Sequence, residues 1–217
     1  MDAATGELRV VALAGAGEGF GMPQWLPDGK RILYQSRPFS PGKSVKSIRE
    51  RDLKSGHERE IVSGADLADD DAGRLTVVLS PDGRSFAHVR EDPATKQGSL
   101  NLVALKDGRT RELVRFGTDN GIMVNGWTPD GKSLIYSQRE GSGRLSDGSE
   151  YPAFATSIVS VEGGATPRKI ELNDPWARQV RVHPDGKRIA FWIPNNTPEQ
   201  VWLVENVRPK ASSTFKR

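Results

Sequence analysis

The chain has 217 residues, 35% hydrophobic and 27% charged, with no cysteine and a net charge of +3. Disulfides and thiolate metal sites are thereby excluded, and so small a net charge, with 31 basic and 28 acidic side chains interspersed, argues against a nucleic-acid binder. Glycine (23) and proline (14) stand at the level expected of many short strands joined by tight turns, while five tryptophans and periodic apolar triplets argue against disorder.

Met1 to Gly6 has no basic segment leading into an apolar one, and no apolar run reaches the length of a membrane span. The expected location is cytoplasmic, or periplasmic if a leader precedes this chain. Thr5-Gly6 reads as a turn into a strand at 7–11. Gly15 to Gly19 opens no helical pattern, so it reads as a flexible connection rather than a phosphate loop. Pro27-Asp28-Gly29-Lys30 then introduces a motif that returns as Pro81-Asp82-Gly83-Arg84, Pro129-Asp130-Gly131-Lys132 and Pro184-Asp185-Gly186-Lys187, at intervals of 54, 48 and 55 residues. Pro presets φ, Asp bonds to following backbone N–H groups and Gly accepts positive φ, so each copy is expected to be a β-hairpin turn.

The strand before each turn carries Trp25, Leu79, Trp127 or Val182 two places ahead of the proline, which assigns Trp25 and Trp127 to the core. The strand after it alternates, setting Ile32/Tyr34, Phe86/His88, Leu134/Tyr136 and Ile189/Phe191 on one face. Third strands follow at 48–53, 100–105, 156–161 and 201–206. Gly turns then lead to fourth strands at 59–62, 111–114 and 168–170. The last copy stops after its third strand, and the segment 7–11 supplies the missing one. The expected fold is therefore all-β, a β-propeller of four four-stranded antiparallel blades in a single domain, 1–209, followed by a flexible basic tail, 210–217.

Trp25-Leu26-Pro27-Asp28-Gly29-Lys30-Arg31-Ile32 and Trp127-Thr128-Pro129-Asp130-Gly131-Lys132-Ser133-Leu134 resemble the WD40-like repeats of the TolB family of β-propellers, and the resemblance spans nearly the whole chain. It implies a propeller of the kind found behind a kinase or DNA-binding domain, or in a periplasmic protein. TolB propellers have six blades, so a closed four-blade ring and a fragment of a larger ring both stay open.

Three histidines are candidates for metal or acid–base chemistry. His88 takes the position of Tyr34, Tyr136 and Phe191 and reads as a strand residue; His183 stands where Ser80 and Thr128 stand; His57 lies in a charged turn. The acidic run from Asp66 to Asp71 lacks the spacing and glycine of a calcium loop and reads as a solvated connection. Gly141-Ser142-Gly143 is likewise a connection, and no Gly-x-Ser-x-Gly elbow occurs. No metal or cofactor is expected, nor a catalytic role.

In a propeller the longer connections share one face, opposite the Pro-Asp-Gly turns. Here they cover 37–46, 66–73, 91–98, 141–152 and 173–178, polar and different in each copy, and they place binding among Arg37, Lys43, Asp69, Asp70, Arg144, Trp176 and Arg178. Trp176 falls outside the strands and is the foremost contact candidate. The expected function is a non-catalytic scaffold for a protein or peptide, the alternative being the accessory propeller of a larger hydrolase of the prolyl-oligopeptidase kind or of a kinase. A small ligand at the channel mouth is a third reading.

Overall fold

A computed structural model of the chain describes residues 10–14, 17–38, 46–64, 67, 77–92, 94–117, 121–144, 148–164, 166–172, 174–194 and 200–205. Among them there are fifteen strands and no helix: β1 (Glu18–Trp25), β2 (Arg31–Pro38), β3 (Ser47–Asp52), β4 (Glu58–Ser63), β5 (Val77–Leu79), β6 (Ser85–Asp92), β7 (Gln97–Ala104), β8 (Thr110–Gly117), β9 (Ile122–Trp127), β10 (Ser133–Arg144), β11 (Glu150–Ser160), β12 (Arg168–Ile170), β13 (Arg178–Val182), β14 (Arg188–Ile193) and β15 (Gln200–Glu205). They form four antiparallel meanders, β1-β2-β3-β4, β5-β6-β7-β8, β9-β10-β11-β12 and β13-β14-β15.

Each Pro-Asp-Gly turn joins the first two strands of a sheet. Gly29, Gly83, Gly131 and Gly186 have φ of 64, 66, 69 and 69°, a region that glycine enters without steric cost. Their N–H groups donate to the carbonyls of Leu26, Ser80, Thr128 and His183 at 2.8–3.0 Å. The aspartates accept the N–H of Lys30 (2.8 Å), Arg84 (3.0 Å), Lys132 (3.0 Å) and Lys187 (2.8 Å). Ser80 and Thr128 add a hydroxyl donated to the aspartate at 2.6 Å while accepting the N–H of Ser85 or Ser133 at 3.0 Å. Bonds made to the ionised form keep each carboxyl acidic. The Lys30 N–H holds Asp28 below the usual range, as the Ser80 and Thr128 hydroxyls do Asp82 and Asp130, and Asp185 falls to about 2, chiefly through the Lys187 N–H.

Alternation along the second strands sends successive side chains to opposite neighbours, and three apolar seams result. Leu33 and Ile48 of the first sheet meet Val77, Phe86 and Val103 of the second. Ala87, Val89, Leu100 and Phe116 meet Ile122, Val124, Leu134, Tyr136 and Val159 of the third. Ile135 meets Ala177, Val180, Ile189 and Phe191 of the fourth. His88 is buried beside Phe86, ring centroids 5.8 Å apart, as a strand residue.

Where no ladder joins the sheets, side chains bond to backbone. Gln24 of β1 donates to the Val77 carbonyl (2.8 Å) and accepts the Leu79 N–H (3.1 Å). Trp127 of β9 donates Nε1–H to the Val78 carbonyl (3.1 Å), and Arg181 of β13 donates to the Asn125 carbonyl (2.5 Å). Farther out, Arg59 of β4 reaches the Leu105 carbonyl (2.7 Å), and Arg111 of β8 reaches that of Val161. Each of these bonds satisfies a backbone carbonyl or, at Leu79, a backbone N–H.

The expectations need three corrections. Trp25 is not core: it is 62% exposed. It pairs with Ile32 on the side of the first sheet turned away from Leu33 and the second sheet, whereas Trp127, at the same position, is half-buried against a neighbour. Residues 91–98 and 141–152 are largely strand, because β6 and β7 pair to Asp92↔Gln97 and β10 and β11 to Arg144↔Glu150. Gly19 belongs to β1, and Gly141, Ser142 and Gly143 to β10. Residues 7–9 of the closing strand lie outside the described residues, and Val10 and Val11 are in no strand, so the fourth sheet has three described strands. The tail 210–217 is also outside them.

Candidate functional site

Antiparallel order puts the connections between second and third strands, and those between sheets, at the end opposite the Pro-Asp-Gly turns. The third sheet is tallest there. β10 has 12 residues and β11 has 11, while β9 stops at Ile122, opposite Gln138. The hairpin therefore stands beyond its inner neighbour. A register shift between Arg139 and Gly141, with Gly141 at φ 130°, bends it, as bulges do.

Four side chains gather against this hairpin. The Arg178 guanidinium, on the first residue of β13, lies 4.4 Å from the Tyr151 ring centroid and 4.6 Å from that of Phe154, so its charge is held against two π faces. Tyr151 and Trp176 meet edge to face, centroids 6.5 Å apart, a preferred aromatic geometry. Arg178 also donates to the Pro152 carbonyl at 3.5 Å. The connection is tied down through its backbone: the Phe154 N–H donates to the Pro175 carbonyl (2.8 Å) and the Trp176 N–H to Asp174 (2.8 Å). The Pro175 bond takes up the outer edge of β11 just past Thr156, where β12 ends. Gly143 makes room for the indole, since a Cβ there would stand 2.5 Å from Trp176 Cη2. All four residues are half-buried.

A second feature on this end is a polar cavity of about 330 Å³ in the second sheet, among Arg90, Asp92, Gln97, Ser99, Glu112 and Arg115. Its charges are largely engaged. Arg115 donates to both Glu112 oxygens (3.0 and 2.7 Å), and Asp92 accepts the Ala94 N–H and the Thr95 hydroxyl at 2.9 Å. The Thr95 hydroxyl chiefly holds that carboxyl below its usual range.

Of the residues singled out in the sequence, Trp176 and Arg178 come together at the hairpin, and Arg144 lies exposed at the end of β10. Arg37 is on β2 of the first sheet. Lys43, Asp69 and Asp70 lie outside the described residues. Among the described residues no group of three or more metal-ligating side chains gathers. Tyr151, Phe154 and Gly143 were missed. The segment Tyr151-Pro152-Ala153-Phe154-Ala155-Thr156 has aromatic residues and no glycine, a strand signal in the sequence that could have found them.

No protein-family model and no curated protein matches the sequence. Solved structures do resemble it. TolB from Acinetobacter baumannii is 20% identical with a TM-score of 0.61, over 89% of this chain and 42% of that one. The acylaminoacyl peptidase of Pyrococcus horikoshii is 14% identical with a TM-score of 0.59, over 89% and 32%. The β-propeller domain of the trilobed protease from Pyrococcus furiosus, which has an open velcro topology, is 13% identical with a TM-score of 0.56, over 88% and 56%. The chain thus spans roughly a third to just over half of the length of these proteins. Its sheets, seams and turns are those of a β-propeller like that of TolB and of peptidase propeller domains.

Proposed function

We propose that the chain is a non-catalytic binding scaffold that holds a protein or peptide segment at the β10–β11 hairpin. The observation that carries this reading is Arg178 held against Tyr151 and Phe154 beside Trp176. Half-exposed aromatic rings give contact area at low entropic cost, and a stacked guanidinium keeps a fixed direction for a carboxylate. The Arg139 N–H bonds to the Gly121 carbonyl at 3.1 Å, and beyond it no described strand pairs with the inner edge of β10, where an extended segment could join as an added strand.

The test is a displayed peptide library selected on the purified chain, with the enriched peptides measured on variants. Arg178→Ala should weaken binding at least tenfold, Arg178→Lys should recover little of it, and Arg37→Ala should leave it unchanged. An empty selection, or peptides indifferent to Arg178, sinks the reading. The likeness to peptidase propellers supports a second reading, an accessory domain of a hydrolase. In that case the mature polypeptide in source cells would run well above 23.8 kDa and cleave peptide substrates.

A further inference from the structure

We propose, resting on the reading of the β10–β11 hairpin as a peptide site, that Gln179 is a specificity-determining residue of that site, its side-chain amide gripping the backbone of the bound segment. Among the described residues two that are not glycine have a positive φ: Lys96 (56°), in the turn between β6 and β7, and Gln179 (51°), inside β13. Arg178 pairs with Trp192 and Arg181 with Ala190, so Gln179 and Val180 stand together against Phe191 in a bulge. Glycine takes the left-handed place of such a bulge without steric cost, whereas a side chain there is strained. Burial does not offset the strain, because Gln179 is exposed between half-buried Arg178 and buried Val180. Strain of this kind, beside a cluster of contact residues, points to a use for the side chain.

The position of β13 supplies that use. Both β9 and β13 lead into Pro-Asp-Gly turns and so run the same way, and Arg181 donates to the Asn125 carbonyl at 2.5 Å. Gln179, two places before Arg181, therefore stands beside the first residues of β9, which begins at Ile122. Beyond that point the inner edge of β10 has no described strand against it. A segment added there continues the line of β9 and lies next to Gln179 as β9 lies next to Arg181.

The first two sheets already hold such a grip. The Gln24 amide of β1 donates to the Val77 carbonyl of β5 (2.8 Å) and accepts the Leu79 N–H (3.1 Å). A primary amide carries both a donor and an acceptor and so matches the carbonyl and N–H of an extended chain. It reads backbone rather than side chain. The ligand is then an extended peptide whose residue at this point is free to vary.

The experiment takes peptides selected on the parent chain, remakes each with single backbone esters in place of successive amides, and measures affinity for the parent and for Gln179→Gly. Glycine accepts the left-handed backbone, so the variant should keep the bulge and melt about 2 °C higher. It should bind the unmodified peptide about tenfold more weakly. One ester position should weaken binding to the parent by a similar factor and binding to the variant not at all. Peptides that need Arg178 yet bind Gln179→Gly as tightly as the parent overturn this role and leave the hairpin site intact. Ester losses that are equal in parent and variant at every position also overturn it, since Gln179 would then only position Arg178. So does a melting temperature at or below the parent's, which would show the backbone at 179 to be unstrained. An empty selection, or peptides indifferent to Arg178, removes the site and this role together.

Discussion

Pro27 and Gly83 meet on one end of the molecule, Gly143 and Trp176 on the other, and in both places a glycine stands where a Cβ would collide. The added atom would lie 2.4 Å from Pro27 Cδ in the first case and 2.5 Å from Trp176 Cη2 in the second. Similar distances conceal different surroundings. Gly83 has φ 66° and its neighbour is a ring locked into a turn. Gly143 lies in an extended hairpin, and its neighbour is an indole carried by a connection. At the turn end every copy repeats the same Gly N–H to carbonyl and N–H to aspartate bonds, which argues for a rigid site. The hairpin end belongs to one copy only, and its contact falls on a half-buried side chain.

Gly83→Ala breaks that comparison most severely. A left-handed φ costs an alanine about 1–2 kcal/mol, and overpacking a site that cannot give adds about 1–3 kcal/mol. A loss of about 2–5 kcal/mol is expected in urea unfolding, and a loss under 1 kcal/mol would show the turn end to be soft. Gly131→Ala isolates the backbone share. It has φ 69° but its Cβ would sit 3.8 Å from Pro81 Cδ, an ordinary contact. About 1 kcal/mol should be lost, and a loss equal to that of Gly83→Ala would refute the role given to Pro27.

That pair also marks how far the sequence could be read. Proline, aspartate and glycine in one order dictate a local bond pattern, so the four turns and the meanders around them were legible from residue types alone. Whether Trp25 is buried depends on a neighbouring sheet, which no local pattern encodes. It shares its motif with Trp127, yet only Trp127 has a sheet against it. The hairpin failed for a related reason. Residues 141–152 read as a polar connection, although Tyr151 to Thr156 already suits a strand. Trp176 and Arg178 were found as outliers from the repeat, but Tyr151 and Phe154, which give Arg178 its surroundings, become visible only when two sheets are placed side by side.

Acid should weaken the turn end next, by a smaller amount spread over the four turns. The carboxyls of Asp28, Asp82, Asp130 and Asp185 are all more acidic in the folded chain than in an unfolded one, Asp185 reaching about 2. A lowered folded pKa means that the stabilisation is present in full above the unfolded value of about 3.9 and disappears as pH falls through the folded value. Unfolding free energy should therefore fall between about pH 4 and pH 2. Replacing all four aspartates with asparagine should flatten that part of the profile, whereas an unchanged slope would place the acid sensitivity elsewhere.

Gly143→Ala should have the smallest effect on stability, within about 0.5 kcal/mol, as surface changes without strain commonly do. The collision it introduces falls on Trp176, whose neighbours Tyr151 and Arg178 are half-exposed, so the indole can swing outward where the Pro27 ring cannot. The displacement should appear elsewhere. Trp176 also packs on the seam between the third and fourth sheets, so its emission should shift to the red as it leaves that contact, a change that Trp176→Phe identifies by abolishing it. Peptides selected on the parent should bind the variant several-fold more weakly at nearly constant melting temperature. If Gly143→Ala instead destabilised the chain as much as Gly83→Ala, the hairpin end would be as tightly determined as the turn end, and repetition would no longer account for the difference between them.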